Sequence, residues 1–219
     1  LRAHTETTAS TASWRGSACL LAALAVAGSP ATASAARRDA ARPAEVEVTR
    51  EATGFTITQD LRVSGAVRTD YEAAVRMLQQ ERYQEGIALL TRVTEAAPGA
   101  IAPYVDLGIA YGRVGDLDRA ELSLKRALEI DPGHPIANNE LGMIYRRQGR
   151  FADARASYEK ALELYPSFHY AHRNLAILCD LYLQDFACAL QHYEAYRQAV
   201  PGDRDAVRWI ADVQNRADE

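Results

Sequence analysis

The chain has 219 residues, enough for one or two domains. Apolar residues make up 48% and charged residues 25%, the balance of an ordinary globular protein, which excludes a fibrous or wholly disordered chain. The formal net charge is −4 and no basic block occurs, so the footprint of a nucleic-acid-binding protein is missing.

Residues 1–35 read as a signal peptide. Arg2 and Arg15 carry positive charge ahead of the run ACLLAALAVA, Ala18 to Ala27. A run of about ten apolar residues suits a signal-peptide core and is too short to span a bilayer. Ala33-Ser34-Ala35 fits the small-residue cleavage pattern. The expectation is export to a bacterial periplasm, with no transmembrane segment left after cleavage.

Residues 36–66 form a flexible or strand-like lead-in. Arg37 to Pro43 is charged and alanine-rich. Glu45 to Val48 and Phe55 to Val63 alternate apolar with polar residues and are rich in β-branched side chains, a strand signature. A lone hairpin is marginal in water, so it must lean on the rest of the chain, pair with another chain, or stay loose. The segment could also fold into a groove of its own chain and regulate access.

The remainder repeats. Leu107, Gly108, Tyr111, Gly115, Ala120, Ala127 and Pro132 recur as Leu141, Gly142, Tyr145, Gly149, Ala154, Ala161 and Pro166. The spacing is 34 throughout (141 − 107, 166 − 132), and a fixed period of that size signals a solenoid of helix pairs. Each pair cannot bury its apolar face alone, so stacked pairs share one core. The units are 67–100, 101–134, 135–168 and 169–203, with a cap helix over 204–216, giving a helical domain over 67–216.

In the second unit, Tyr104, Leu107, Gly108 and Tyr111 form one stripe of a helix, and Ala120, Leu124 and Ala127 the facing stripe. Glycine inside a helix costs about 1 kcal/mol relative to alanine. Gly108 and Gly142 therefore imply close approach of the partner helix, opposite Ala120 and Ala154. The fourth unit departs: Ala176 replaces glycine, and the later landmarks Ala189, Tyr193, Tyr196 and Pro201 shift by one residue. The extra residue falls near Leu181 to Asp185. In the cap helix Ala206, Val207, Ile210 and Val213 share one side, Asp203 is a candidate N-cap, and Trp209 is either part of the seal, the expected role, or an exposed anchor.

Cys179 and Cys188 remain after leader cleavage. An oxidising compartment invites a disulfide. Against it, Cys188 adjoins the packed Ala189, so its side chain is expected to point away. The pair is expected as two buried thiols.

The landmark sets resemble the tetratricopeptide repeat, strongly over 101–168 and well over 67–203. The resemblance implies an all-α, right-handed α-solenoid of about four helix hairpins plus a C-terminal capping helix. It also implies that the first helix of each pair lines a concave groove, and that the protein binds an extended peptide or helix of a partner rather than catalysing a reaction. The tail from Cys179 onward is similar in texture to exported bacterial repeat proteins linked to TonB–ExbB–ExbD systems. That makes a structural or accessory subunit of an envelope machine the alternative.

The groove can be drawn from the faces left over. If Tyr104, Leu107, Gly108 and Tyr111 face the core, then Val105, Ile109 and Arg113 (or Gly112) face elsewhere. The equivalents are Asn139, Met143 and Arg147 (or Arg146), then Arg173, Ile177 and Asp180 (or Leu181), and earlier Tyr71 and Val75. Apolar residues with arginines suit an extended peptide carrying apolar anchors and acidic groups. The carboxylate-gripping mode of chaperone-type repeats is not supported, since Val105, Ile109 and Asn139 occupy its slots.

Catalytic chemistry is sparse. No phosphate loop or nucleophile elbow occurs, and no cofactor is called for. His169 and His172 are three apart on one helix, a spacing open to a metal, but no further ligand completes the set apart from Asp180 or His192. Packing is the expected role of these histidines, so no metal is assigned. Self-association is left open.

Overall fold

Turn residues divide the helical region into hairpins. The computed structural model describes residues 46–51, 54–59, 61 and 63–218. The leader expected over 1–35 lies outside the described residues. Among them the chain forms one β-hairpin and nine α-helices. The helices pair as α1 (Gly65–Gln79) with α2 (Tyr83–Ala96), and α3 (Ile101–Val114) with α4 (Leu117–Ile130). Next come α5 (Pro135–Arg147) with α6 (Phe151–Leu164), and α7 (His169–Leu178) with α8 (Phe186–Ala199); α9 (Arg204–Ala217) closes the stack. Among the described residues no helix is long and apolar enough to cross a membrane.

The turn within each hairpin needs one residue with positive φ. Gly115 (φ 88°) and Gly149 (φ 75°) hold that slot in the central units, and Glu81 (φ 60°) holds it in the first. In the fourth it is Gln184 (φ 53°), one residue late. A π-helical turn, Cys179–Leu183, absorbs the extra residue at the end of α7. The amide of Asp185 reaches back to the carbonyl of Cys179 at 2.9 Å. The side chains of Asp116, Asp185 and Asp203 then accept from backbone amides at the starts of α4, α8 and α9.

Each helix packs on the next along the chain. Successive first helices also touch each other: α1 with α3, α3 with α5, and α5 with α7. Among the described residues consecutive second helices do not come together to that extent. The first helices thus lie on the inner side of the curve. One continuous apolar cluster runs from Ile101 to Val213, and a second joins α1, α2 and α3.

The glycine notches differ in detail from expectation. A Cβ on Gly108 would lie 2.4 Å from Leu124 Cγ, and one on Gly142 would lie 2.6 Å from Tyr158 Cε1. The notches are filled by Leu124 and Tyr158, one turn beyond Ala120 and Ala154. A long side chain reaches across the helix gap, whereas a methyl only lines it.

Cys179 and Cys188 form a disulfide, contrary to the expectation of two thiols. The π turn ends the first helix, and Asp185 starts α8 three residues before Cys188. The last turn of one helix then faces the first turn of the next, with Cα atoms 5.9 Å apart, a distance a disulfide spans. Cys188 and Ala189 are both buried, so packing of the alanine does not turn the cysteine outward.

The lead-in is a hairpin. Strands β1 (Val46–Glu51) and β2 (Gly54–Gln59) pair antiparallel, with Val48 opposite Ile57. The second strand stops at Gln59, short of the expected Val63. Gln59 ties the hairpin to the solenoid: its Nε2 donates to Gly99 O at 2.8 Å, and its Oε1 accepts from Ile101 N at 3.0 Å. That second bond caps α3, whose own N-cap residue, Ala100, has no side-chain acceptor. The contact is with the turn between α2 and α3.

Candidate functional site

The inner face is built from α1, α3, α5 and α7, and three rows of residues run along it. The first row is a seam between successive helices. Tyr71 Oη donates to Asp106 Oδ2 at 2.8 Å, and Asn174 Nδ2 donates to Asn139 Oδ1 at 2.9 Å. Tyr71, Val105 and Asn139, read from sequence as groove residues, are buried in this seam. Arg173, at the same slot, stays half-exposed, with its guanidinium over the rings of Tyr170 and Tyr196.

The second row is apolar. Val75, Ile109, Met143 and Ile177 are each half-buried and rest on the core clusters. They leave a broken apolar strip along the inner face.

The third row carries charge. Arg113 and Arg147 are exposed. Arg147 is already engaged, donating from Nη1 to Gly112 O at 2.5 Å. Asp180 is not in the groove. It is 6% exposed, holds Arg216 Nη2 of α9 at 2.6 Å, and accepts from Tyr193 Oη at 3.3 Å. The π turn rotates this position inward, under the cap helix.

Sequence reasoning missed Asp106 and Glu140. They lie 34 apart, each one residue past the row of Val105 and Asn139, and Asn174 holds the same slot in the next unit. Burial pushes the Asp106 carboxyl up to about 6, against the Tyr71 hydrogen bond that favours its charge. Burial pushes Glu140 up to about 7, while Asn139 and the Arg113 charge pull the other way. Among the described residues neither forms an ion pair, although other carboxylates, such as Glu121, are held low by hydrogen bonds from Lys125, Gln148 and Arg150, against the effect of burial. Their equal spacing was visible in the sequence. Their desolvation was not, because it depends on how closely neighbouring first helices approach.

The histidines separate. His169 lies against Tyr170 with ring centroids 4.1 Å apart and the ring planes tilted by 41°. His172 faces His192 of α8 instead of His169. Among the described residues, one group of three possible metal ligands has its atoms close together, Cys179, Asp185 and Cys188, and its two sulfurs are bonded to each other. Trp209 lies against Tyr193 and Tyr196, at 5.5 and 6.1 Å between centroids, which is the sealing role expected of it.

Residues 105–179 match the family model for the tetratricopeptide repeat. Over that span, from the second hairpin to the end of α7, the helix pairs match tetratricopeptide repeats. Solved tetratricopeptide structures share the architecture. MamA from Desulfovibrio magneticus RS-1 aligns at 16% identity and a TM-score of 0.64, over 72% of this chain and 88% of its own. PilF from Pseudomonas aeruginosa aligns at 18% and 0.63, over 69% of each chain. YrrB, described as a tetratricopeptide protein with an unusual peptide-binding site, aligns at 20% and 0.56, over 65% of this chain and 73% of its own. At these identities the likeness shows the fold. No curated protein matches.

Proposed function

We propose that this protein is a non-enzymatic scaffold that holds an extended segment or helix of a partner protein in its inner groove, and that the segment is basic. The observation that carries the reading is the pair Asp106 and Glu140. A carboxyl whose charge is opposed by burial gains most when a cation arrives beside it. A lysine or arginine of the partner would restore what burial removed. Ile109, Met143 and Ile177 would supply apolar contact on either side. Acidic anchors fit less well than the sequence implied, because Arg147 is committed to a backbone carbonyl and Arg173 to two aromatic rings.

Peptide arrays probed with the purified protein test this. Lysine- or arginine-centred peptides with apolar flanks should dominate, and the double substitution Asp106→Asn with Glu140→Gln should erase that preference. Acidic peptides dominating the array would overturn the reading.

Export to a periplasm belongs to the same proposal. The leader pattern supports it, as does the Cys179–Cys188 bond, since disulfides persist in oxidising compartments. Cell fractionation, with the thiol state of the recovered protein, tests it. A second surface favours the envelope-machine reading. Leu181 is 63% exposed and Tyr182 42% exposed, with Tyr182 packed at 5.0 Å on Phe151 and flanked by Arg146. Photocrosslinkers placed at 109 and at 181 in cells would show which surface the partner covers.

A further inference from the structure

His172 lies on α7 and His192 on α8, facing each other across the last hairpin. Their Nδ1 atoms are 2.9 Å apart. His172 Nε2 lies 2.7 Å from the carbonyl oxygen of Pro166. A carbonyl only accepts, so Nε2 carries the proton and the lone pair of His172 is on Nδ1. That lone pair faces His192. The arrangement resembles the one that orients metal-binding imidazoles: one ring nitrogen donates to a backbone carbonyl, and the other presents a lone pair, which here accepts the Nδ1 proton of His192 until a metal ion replaces that proton. Both rings are half-buried, so an ion can enter from solvent while the ring positions are held by packing.

We propose that His172 and His192 form a two-imidazole site for a divalent first-row transition-metal ion, bound through their Nδ1 atoms, with copper(II) preferred.

The separation argues for the preference. With metal–nitrogen bonds of about 2.0 Å, two ligands at a right angle have nitrogens about 2.8 Å apart, and two tetrahedral ligands about 3.3 Å apart. The observed 2.9 Å suits the tetragonal geometry of copper(II) or nickel(II), and copper binds tightest in the divalent series. Both imidazoles are neutral near pH 7, because burial lowers their affinity for protons. On binding, the proton on His192 Nδ1 moves to Nε2 of the same ring through solvent, so no net charge leaves the protein. Waters complete the coordination. Of the nearby charges, Glu159 favours a cation at His192, while Arg155 opposes it and is itself paired with Glu159 and Asp185. The ion would link α7 to α8 in the same hairpin that the disulfide links.

The test is copper(II) titration of the purified, disulfide-bonded full chain. It is followed by visible absorption and by electron paramagnetic resonance, and read against the double variant His172→Ala/His192→Ala to remove any contribution from His4. One additional copper should bind, with hyperfine structure from two nitrogens. His172→Ala or His192→Ala should each weaken it about tenfold or more, and His169→Ala should leave it unchanged. His192→Asn, which keeps a polar group at the position, should lose copper while its melting curve without metal stays close to wild type. Equal copper affinity in wild type and the double variant would overturn the site. Zinc(II) binding as tightly as copper(II) would overturn the preference.

Discussion

The ring of Tyr158 occupies the space where Gly142 would otherwise carry a side chain. A Cβ on Gly142 would sit 2.6 Å from Tyr158 Cε1, with the ring fully buried and its own helix fixed by Ala154 and Ala161 on either side. The ring cannot retreat without opening the core. Gly142→Leu is expected to destabilise the protein by about 1–3 kcal/mol through overpacking. A thermal melt reads this as a fall of several degrees. An unchanged melting temperature would mean that the helices separate at little cost.

The disulfide closes a short loop, with Cys179 and Cys188 nine residues apart. By the chain-entropy estimate such a loop contributes about 2.5 kcal/mol. Cys188→Ser should lower stability by about that amount under oxidising conditions and have little effect in the presence of reductant. Native and denatured thiol titrations of the leaderless chain should both find no free thiol. A thiol appearing in denaturant would contradict the bond.

Asp106 and Glu140 give stability a pH dependence of known sign. Their folded-state pKa values are raised, so between about 4 and 7 the folded chain holds more protons than the unfolded one. Their contribution is fully present below about pH 4 and is lost as pH rises through 6 and 7. Glu140→Gln removes the loss. It should stabilise the protein at pH 8 by about 1–2 kcal/mol, the full shift being reduced because Glu140 keeps partial contact with water. At pH 4 the variant should match wild type. In the same window, affinity for a basic peptide should rise with pH as the two carboxyls ionise. Denaturant melts and peptide titrations at pH 4, 6 and 8 check both statements.

Asp180 depends on the cap helix for its counter-charge. With Arg216 removed, a carboxylate that is 6% exposed keeps, among the described residues, the Tyr193 hydroxyl as its partner. Arg216→Met should cost about 3 kcal/mol, the low end for breaking a buried pair, since Arg216 itself remains partly wet. The double change Arg216→Met/Asp180→Asn should recover part of that loss. Urea denaturation of the single and double variants measures the coupling. Additive losses would show that the pair is not coupled.

The hairpins, their turns and their inward stripes were legible because each depends on near neighbours in sequence. The slot holding Glu81, Gly115, Gly149 and Gln184 illustrates it: a helix pair of fixed length must reverse at a fixed place, and the one-residue shift in the fourth unit could be counted directly. The cap helix was legible from Asp203 and from Ala206, Ile210 and Val213, which are buried, whereas Val207, read on the same side, is 55% exposed.

The groove was legible only in part. Tyr71, Val105 and Asn139, read as groove residues, lie on the first helices α1, α3 and α5, but those helices approach one another closely enough to bury that row. The same approach desolvates Asp106 and Glu140, which nothing in their local sequence marks. Cys179 and Cys188 were paired by the π turn, and His172 was brought to His192 by the hairpin that the turn starts. Periodicity along one helix determined the repeat and its faces. The distance between helices, which sums packing over every unit, decided which residues on those faces meet, which lose water and which stay open to a partner.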